Sequence, residues 1–370
     1  GLWVKPDTGW FIITGVLTIF VLFVVDSNNP SGWDFRNNLW GPAYLLSQKI
    51  SPYRVDTLFE LGNAVWMPTV ITPFFPLGLL PLQLASNVWL AVNILCLVAI
   101  IWLSSDTSRF NSRFGAIITA LCILFPPTIT HFRLGQITLL ITLIFLIVIL
   151  KEDKFPRLLS SLLIAIGLAK PQLAILVLPG FLFYKTTKEG WTKTIQVIIL
   201  LGVSILMLTA PLFLASPGWL PDFVSALQKN PSWAHPSSMS LLRTVIPAHG
   251  TEAWALWACF VFILNIWIWR IKPKQEAVLW SLALTPLISP YIWTWDFVVI
   301  LPLFIHTLHH ARRKASLTIL YAGYLACWIL IVAAQYRDIT NEYSFWWIPW
   351  YLVAMILSGK YIEKRNQYAP

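Results

Sequence analysis

Residues 194–214 read TIQVIILLGVSILMLTAPLFL, a run with no charged residue. As an α-helix at 1.5 Å per residue it reaches about 30 Å, the thickness of a bilayer's hydrocarbon core. Residues 85–104, 114–130 and 316–334 repeat the pattern. Of the 370 residues 57% are hydrophobic and 11% charged, and mean hydropathy is +0.70. So much apolar sequence has to face lipid rather than a water-wrapped core. A transmembrane barrel would alternate apolar and polar residues along short strands, whereas these runs are continuous in Leu, Ile, Val and Phe. The composition therefore specifies an all-α polytopic membrane protein.

The net charge of +10 does not point to nucleic acid, because Lys and Arg are scattered through short loops rather than gathered in one stripe. They report topology instead. The first apolar run, Gly9 to Val25, lacks a small-residue cleavage site and reads as a retained span. About twelve spans with cytoplasmic termini place eighteen of the 26 Lys and Arg on the inner side. The outer side then keeps Arg36, Lys49, Arg54, Arg133, Lys170, Lys229, Arg243 and Arg337, in accord with the positive-inside rule. This fit requires the proline-rich residues 67–81 to enter the membrane without crossing it. Cys96, Cys122, Cys259 and Cys327 all fall in apolar runs with no paired spacing, so core packing is expected of them.

Two further runs are interrupted, by Lys170-Pro171 within residues 158–184 and by Ser289-Pro290 within residues 277–310. Proline removes a backbone donor, and broken backbone at membrane depth is tolerated only inside protein or beside a watery cavity. Both breaks fall on the predicted outer side, as do two long loops, 26–66 and 215–250. In the first, Phe35, Leu39, Leu45, Leu46 and Ile50 recur at loosely helical spacing, which predicts a membrane-surface helix starting near Asp34. With no repeat or low-complexity linker, residues 1–370 read as one membrane domain.

Asp34, flanked by aromatics in Gly32-Trp33-Asp34-Phe35-Arg36, is the first candidate for chemistry. A carboxylate partly removed from water gains proton affinity, which suits a general base. Its structural alternatives are a helix N-cap or an ion pair with Arg36. Lys170, Arg133 and Arg243 are cations that could neutralise a phosphate, or that could simply reach lipid headgroups. Asp296, at the second break, is either a second functional carboxylate or the partner of a buried cation. His306, His309 and His310 have metal-like spacing but run into Arg312, Arg313 and Lys314, so a basic helix end is preferred and no metal or other cofactor is expected.

The run from Asp34-Phe35 through Ser51-Pro52-Tyr53 to Pro76-Leu77-Gly78-Leu79-Leu80-Pro81 resembles the opening of glycosyltransferase family 87. Gly135-Gln136, Lys170-Pro171-Gln172 and Ser289-Pro290-Tyr291 before Trp295-Asp296 continue the similarity over most of the chain. The resemblance implies a GT-C-type fold with a proline-rich re-entrant segment and outer-face surface helices, in a bacterial plasma membrane. It implies inverting transfer of a sugar, mannose or arabinose in type, from a polyprenyl-phosphate carrier to a glycolipid or glycan on the extracytoplasmic face. Asp34 matches the family's acidic first-loop residue, the expected base. Lys170, Arg243 and Arg133 are then candidates for the donor phosphate, and Gln136, Gln172, Tyr291 and Asp296 for substrate contacts. The sequence departs from the family in having Trp66-Met67-Pro68 where many members have Tyr-Pro-Pro, and Asp296 where some have histidine.

The chemistry agrees with one base, because a lipid phosphate leaves as an anion and needs charge neutralisation rather than a general acid. A transporter or flippase is the main alternative, but ionisable residues at one face and the absence of two similar halves weigh against it. A non-catalytic subunit of a larger membrane complex is a third reading.

Overall fold

The computed structural model describes residues 32–105, 112–229, 235–337, 339 and 341–365. The expected span Gly9–Val25, with Lys5 and Arg109, lies outside them. Every element among the described residues is helical.

The chain opens with α1 (Trp33–Phe35), a π-helical turn (Arg36–Trp40) and α2 (Gly41–Ser47) in direct succession. Phe35, Leu39, Leu45 and Leu46 are buried while Ile50 is exposed, so this helix does not lie on a membrane surface with one face free. It is covered by α3 (Ile71–Gly78), whose Gly78 sits so close to Ala43 and Tyr44 that a Cβ would fall 2.4 Å from their backbone. At eight residues, α3 is about 12 Å long and cannot cross a bilayer. Then follow α4 (Leu82–Ser104), α5 (Ser112–Leu124) and α6 (Pro126–Leu134), the last two bent by 65°.

The next runs are shorter: α7 (Thr138–Leu150), α8 (Arg157–Gly167) and α9 (Val177–Glu189), with a tight turn at Pro171–Leu173 between the last two. Long α10 (Trp191–Ala215) leads through α11 (Trp219–Lys229) and α12 (Ser238–Val245) to α13 (Gly250–Ile271). The chain ends with α14 (Lys274–Ile288), a 3₁₀ segment (Thr294–Ile300), α15 (Leu301–His310), α16 (Lys314–Tyr336) and α17 (Trp347–Arg365).

Among the described residues four helices (α4, α10, α13, α16) are long and apolar enough to cross a membrane, or five crossings if α5 and α6 form one bent span. Among the described residues, twelve are not reached by helices of that length. The backbone breaks at Lys170-Pro171 and Ser289-Pro290, as the prolines predict, and divides each of those runs between two shorter helices.

The outward surface is inverted relative to a water-soluble protein. On α10, Thr194, Ser204 and Thr209 are buried, whereas Ile199, Leu206 and Leu214 are 59%, 68% and 87% exposed. Lipid makes this arrangement favourable, because the polar groups find partners only inside. Polar contacts also join helices at depth: Asn265 Nδ2 donates to the Leu176 carbonyl at 2.9 Å, Ser281 Oγ to Asn265 Oδ1 at 2.6 Å, and Trp269 Nε1 to Ser281 Oγ at 2.8 Å. One apolar core runs from Phe35 to Ile356, with α7, α14 and α15 deepest within it. Cys96, Cys122 and Cys327 are buried there, but Cys259 is exposed on α13. That position follows from α13 itself, which turns Leu256, Phe260 and Ile263 outward.

Basic residues from four parts of the chain meet at one end of the bundle. Lys185 pairs with Glu152 and, at 2.6 Å, with Glu189; Lys274 approaches Glu152 at 3.7 Å; Lys272 and Lys360 approach Glu276 at 3.1 and 3.8 Å. Glu363 accepts from the Arg312 amide at 3.2 Å. At the opposite end lie the two helix breaks and the segments of the long loops, which pack together: Tyr53 meets Phe223 at 4.6 Å, and Asn63 Nδ2 donates to the Ala226 carbonyl.

Candidate functional site

Two glycines bring the first candidate to its neighbours. Gly32 (φ 56°) precedes α1, and Gly135 (φ 66°) closes α6, each in the left-handed region that glycine adopts without penalty. A Cβ on Gly32 would lie 3.0 Å from the Leu134 carbonyl oxygen, and one on Gly135 2.6 Å from Phe35 Cβ. The two backbones therefore touch where Asp34 and Gln136 begin to diverge. Trp89 holds this junction by donating from Nε1 to the Gly135 carbonyl at 2.8 Å and stacking on Phe35.

From this junction a chain of polar groups runs inward. Gln136 Nε2 donates to Asp34 Oδ2 at 2.5 Å, and its Oε1 accepts from Lys170 Nζ at 2.6 Å. Lys170 Nζ lies 2.8 Å from Asp296 Oδ1, which also accepts from Thr138 Oγ1 at 2.5 Å. Asp296 Oδ2 accepts from the Trp293 amide at 3.3 Å. Lys170 and Asp296 are 5% and 0% exposed, so each neutralises a charge that burial alone would make very costly. The Lys170 ammonium has oxygens of Gln136, Asp296 and Thr138 around it, with the Trp66 ring at 5.3 Å. Of the two readings open for Asp296, partner of a buried cation describes its geometry.

Asp34 is different. It stands in the first turn of α1 behind the N-cap residue Gly32, so it is not itself the cap. It is half-buried, with Asn38 Nδ2 3.3 Å from Oδ1. Burial raises its pKa to about 6, aided by Asp296 and opposed by Lys170 and Gln136. The Arg36 guanidinium stacks over Trp33 and Phe59 at 4.7 and 4.3 Å.

The remaining candidates are spread around this chain. Arg133, in the last turn of α6, is exposed three residues before Gln136. Arg243 is exposed on α12 and donates from Nε to Thr251 Oγ1 at 3.1 Å. The three expected phosphate cations therefore occupy different settings, only Lys170 being inside. Gln172 is half-buried in the turn after Lys170. Tyr291 packs against His235 at 4.2 Å, and Trp293 stacks on Trp295 at 4.9 Å. Among the described residues, buried Trp295 Nε1 and His235 Nδ1 have no hydrogen-bond partner, and burial lowers the His235 pKa, favouring neutral imidazole.

Sequence reading did not find Asn38, Thr138 or His235. Asn38 both contacts Asp34 and accepts from the Val65 and Trp66 amides. Tyr53 OH donates to the Trp66 carbonyl at 3.1 Å, and the Met67 amide to the Ala169 carbonyl at 3.1 Å. The Ser51-Pro52-Tyr53 and proline-rich motifs thus support the Trp66 ring beside Lys170. Among the described residues no three of His, Cys, Asp or Glu are grouped to hold a metal ion.

Compared with known proteins, residues 66–290 match glycosyltransferase family 87. The matched segment contains Gln136, Thr138 and Lys170, with Asp34 and Asp296 to either side of it. No curated protein matches the chain.

Proposed function

The chain belongs to glycosyltransferase family 87, and on that premise we propose that this membrane-embedded glycosyltransferase is an inverting enzyme that takes its sugar from a polyprenyl-phosphate carrier. The acceptor is a glycolipid or glycan hydroxyl on the extracytoplasmic face, where the helix breaks and long-loop segments gather. The observation that carries the reading is the polar chain Asp34–Gln136–Lys170–Asp296, whose inner pair is sealed while its outer carboxylate stays reachable.

Asp34 takes the proton from the acceptor hydroxyl as that oxygen bonds to the anomeric carbon. The carbon–oxygen bond to the phosphate breaks, and its electron pair leaves with the polyprenyl phosphate, inverting the anomeric centre. Gln136 fixes the carboxylate's direction, and Lys170, held by Asp296, sets the electrostatic potential behind it. Because the Lys170 ammonium is already surrounded by acceptors, exposed Arg133 is the better-placed contact for the donor phosphate, with Arg243 the next. Tyr291 and Gln172 border the substrate space. The fold in this reading is of the GT-C type. Each divided run, α8 with α9 and α14 with α15, passes from the basic end to its break and back, so it counts as two crossings towards twelve, and α3 is the re-entrant segment. The basic end then faces the cytoplasm of a bacterial plasma membrane.

Purified protein and the Asp34→Asn variant, incubated with radiolabelled polyprenyl-phosphate sugars and membrane glycolipid acceptors, test the proposal. The wild type is expected to transfer label and the variant to lose at least about a hundredfold in rate while eluting as a folded protein. Undiminished transfer by the variant refutes the role of Asp34. Donor binding without transfer by the wild type favours a non-catalytic subunit.

A further inference from the structure

At the basic end a small, partly open cleft lies among α8, α9 and α10. It plays no part in the reaction above. The polar chain meets α7 at its first residue, Thr138, whereas the cleft touches α7 near its last turn, at Val148. The two sites are therefore about 15–20 Å apart along that helix.

Two helices begin at the cleft. Arg157 and Ser160 belong to the first turn of α8; Lys193 and Gln196 belong to the first two turns of α10. Each helix start also leaves backbone N–H groups unpaired and carries a partial positive charge, which favours an anion nearby. The charges inside the cleft point the same way. Lys185 is occupied by Glu152 and Glu189, whereas among the described residues neither Arg157 nor Lys193 is paired with a carboxylate. Arg157 Nη1 donates only to the neutral Gln196 side chain, at 3.2 Å. Ser160 Oγ is buried there and has no hydrogen-bond partner among the described residues, which leaves a donor waiting for an acceptor.

The remaining wall is apolar, formed by Val148, Ile164, Phe181 and Val197. Beyond Gln196 the same stripe of α10 is apolar and outward, with Ile199, Val203 and Met207 exposed on successive turns. We propose that this cleft binds the headgroup of an anionic phospholipid. The phosphodiester meets Arg157, Lys193 and Ser160, and the acyl chains run along the apolar stripe of α10 that begins at Ile199. A soluble phosphate would use the cations but leave that apolar wall without an occupant. The proposal rests on membrane embedding alone and is independent of the transferase mechanism.

Native mass spectrometry of the full chain in detergent, titrated with phosphatidylglycerol or phosphatidylcholine, tests it. The wild type is expected to hold one phosphatidylglycerol that Arg157→Ala/Lys193→Ala binds tenfold or more weakly. Val197→Trp, which fills the cleft without changing charge, should weaken the same adduct and gives an independent reading if the double variant does not fold. Lys151→Ala/Lys154→Ala removes exposed cations from the same end outside the cleft and should leave binding unchanged. Equal binding of phosphatidylcholine, unaltered binding by both cleft variants, or equal loss in the Lys151/Lys154 control overturns the proposal. Displacement of the lipid by millimolar inorganic phosphate would identify a soluble-anion site and overturns it as well.

Discussion

Asp34 and Asp296 are carboxylates in one hydrogen-bonded chain, yet their surroundings differ, and environment commonly sets paired acids apart in proton affinity. Asp296 is fully buried against Lys170, while Asp34 is half-buried with a pKa raised to about 6. A base of that pKa is deprotonated above it, so kcat/KM should fall about tenfold for each pH unit below 6 and level off above. A profile flat down to about pH 4.5 would contradict the assignment. The same shift has a stability consequence of definite sign. A carboxyl whose folded pKa lies above its ordinary value favours the fold when protonated, and this contribution is lost as pH rises through about 6. Asp34→Asn should therefore be inactive yet raise Tm relative to wild type at pH 8, with little difference at pH 4, by thermal unfolding in detergent. The inner pair behaves otherwise. Lys170→Met strands a buried Asp296 and should cost about 3–5 kcal/mol, whereas Lys170→Met/Asp296→Leu should be less destabilised than either single variant. Thermal scans of the three proteins check this. Asp34 was legible in the sequence because a charge flanked by aromatics at a membrane boundary is conspicuous. Thr138 and Asn38 were not, since a hydroxyl at the start of an apolar run and an amide in a polar loop acquire meaning only from the side chain they meet.

At the scale of elements, the breaks decide the site. Proline marked the interruptions at Lys170-Pro171 and Ser289-Pro290 in the sequence, and the backbone leaves its helices at both. Proline spacing does not reveal that two breaks from distant parts of the chain meet, which is why the Lys170–Asp296 pair became visible only in three dimensions. The membrane-surface helix expected after Asp34 failed for a related reason. Its apolar residues were recognised, but a π-helical turn and the cover of α3 bury them, and period alone does not specify what lies above a helix. The contact between Gly32 and Gly135 provides a test of how elements align chemistry. Gly135→Ala adds left-handed strain of about 1–2 kcal/mol and also a Cβ 2.6 Å from Phe35, which must push α1 and Asp34 away from Gln136. Gly190→Ala, at φ 88° and ψ 165° where essentially only glycine is found, adds at least as much strain, but nothing lies within 4 Å of its Cβ. Both should lower Tm, and only Gly135→Ala should lower kcat. Equal activity in the two variants would show that the glycine contact does not position the carboxylate.

Across the whole molecule, one physical asymmetry organises both sequence and structure. Counting Lys and Arg along the chain divided the loops into a basic set and a sparse set, and the structure gathers members of the basic set at one end through Glu152, Glu276 and Glu363. A count of spans was less legible, because the short helices at the breaks do not resemble independent membrane segments. The orientation of this bundle can be read directly. In a variant lacking the four cysteines, including exposed Cys259, single cysteines are placed at Lys188 on the basic end and at Lys229 on the opposite end. Lys188 is exposed beside the Lys185–Glu189 pair, and Lys229 is exposed 3.5 Å from Asp56. A membrane-impermeant maleimide applied to intact cells should label Lys229→Cys alone, and permeabilised cells should add Lys188→Cys. The reverse pattern would put Asp34 on the cytoplasmic side, where an extracytoplasmic acceptor could not reach it. Labelling of both in intact cells would mean that the two ends do not lie on opposite sides of one bilayer. The expected pattern follows from electrostatics, since retaining basic loops on the cytoplasmic side leaves the carboxylate-bearing end free to face the other.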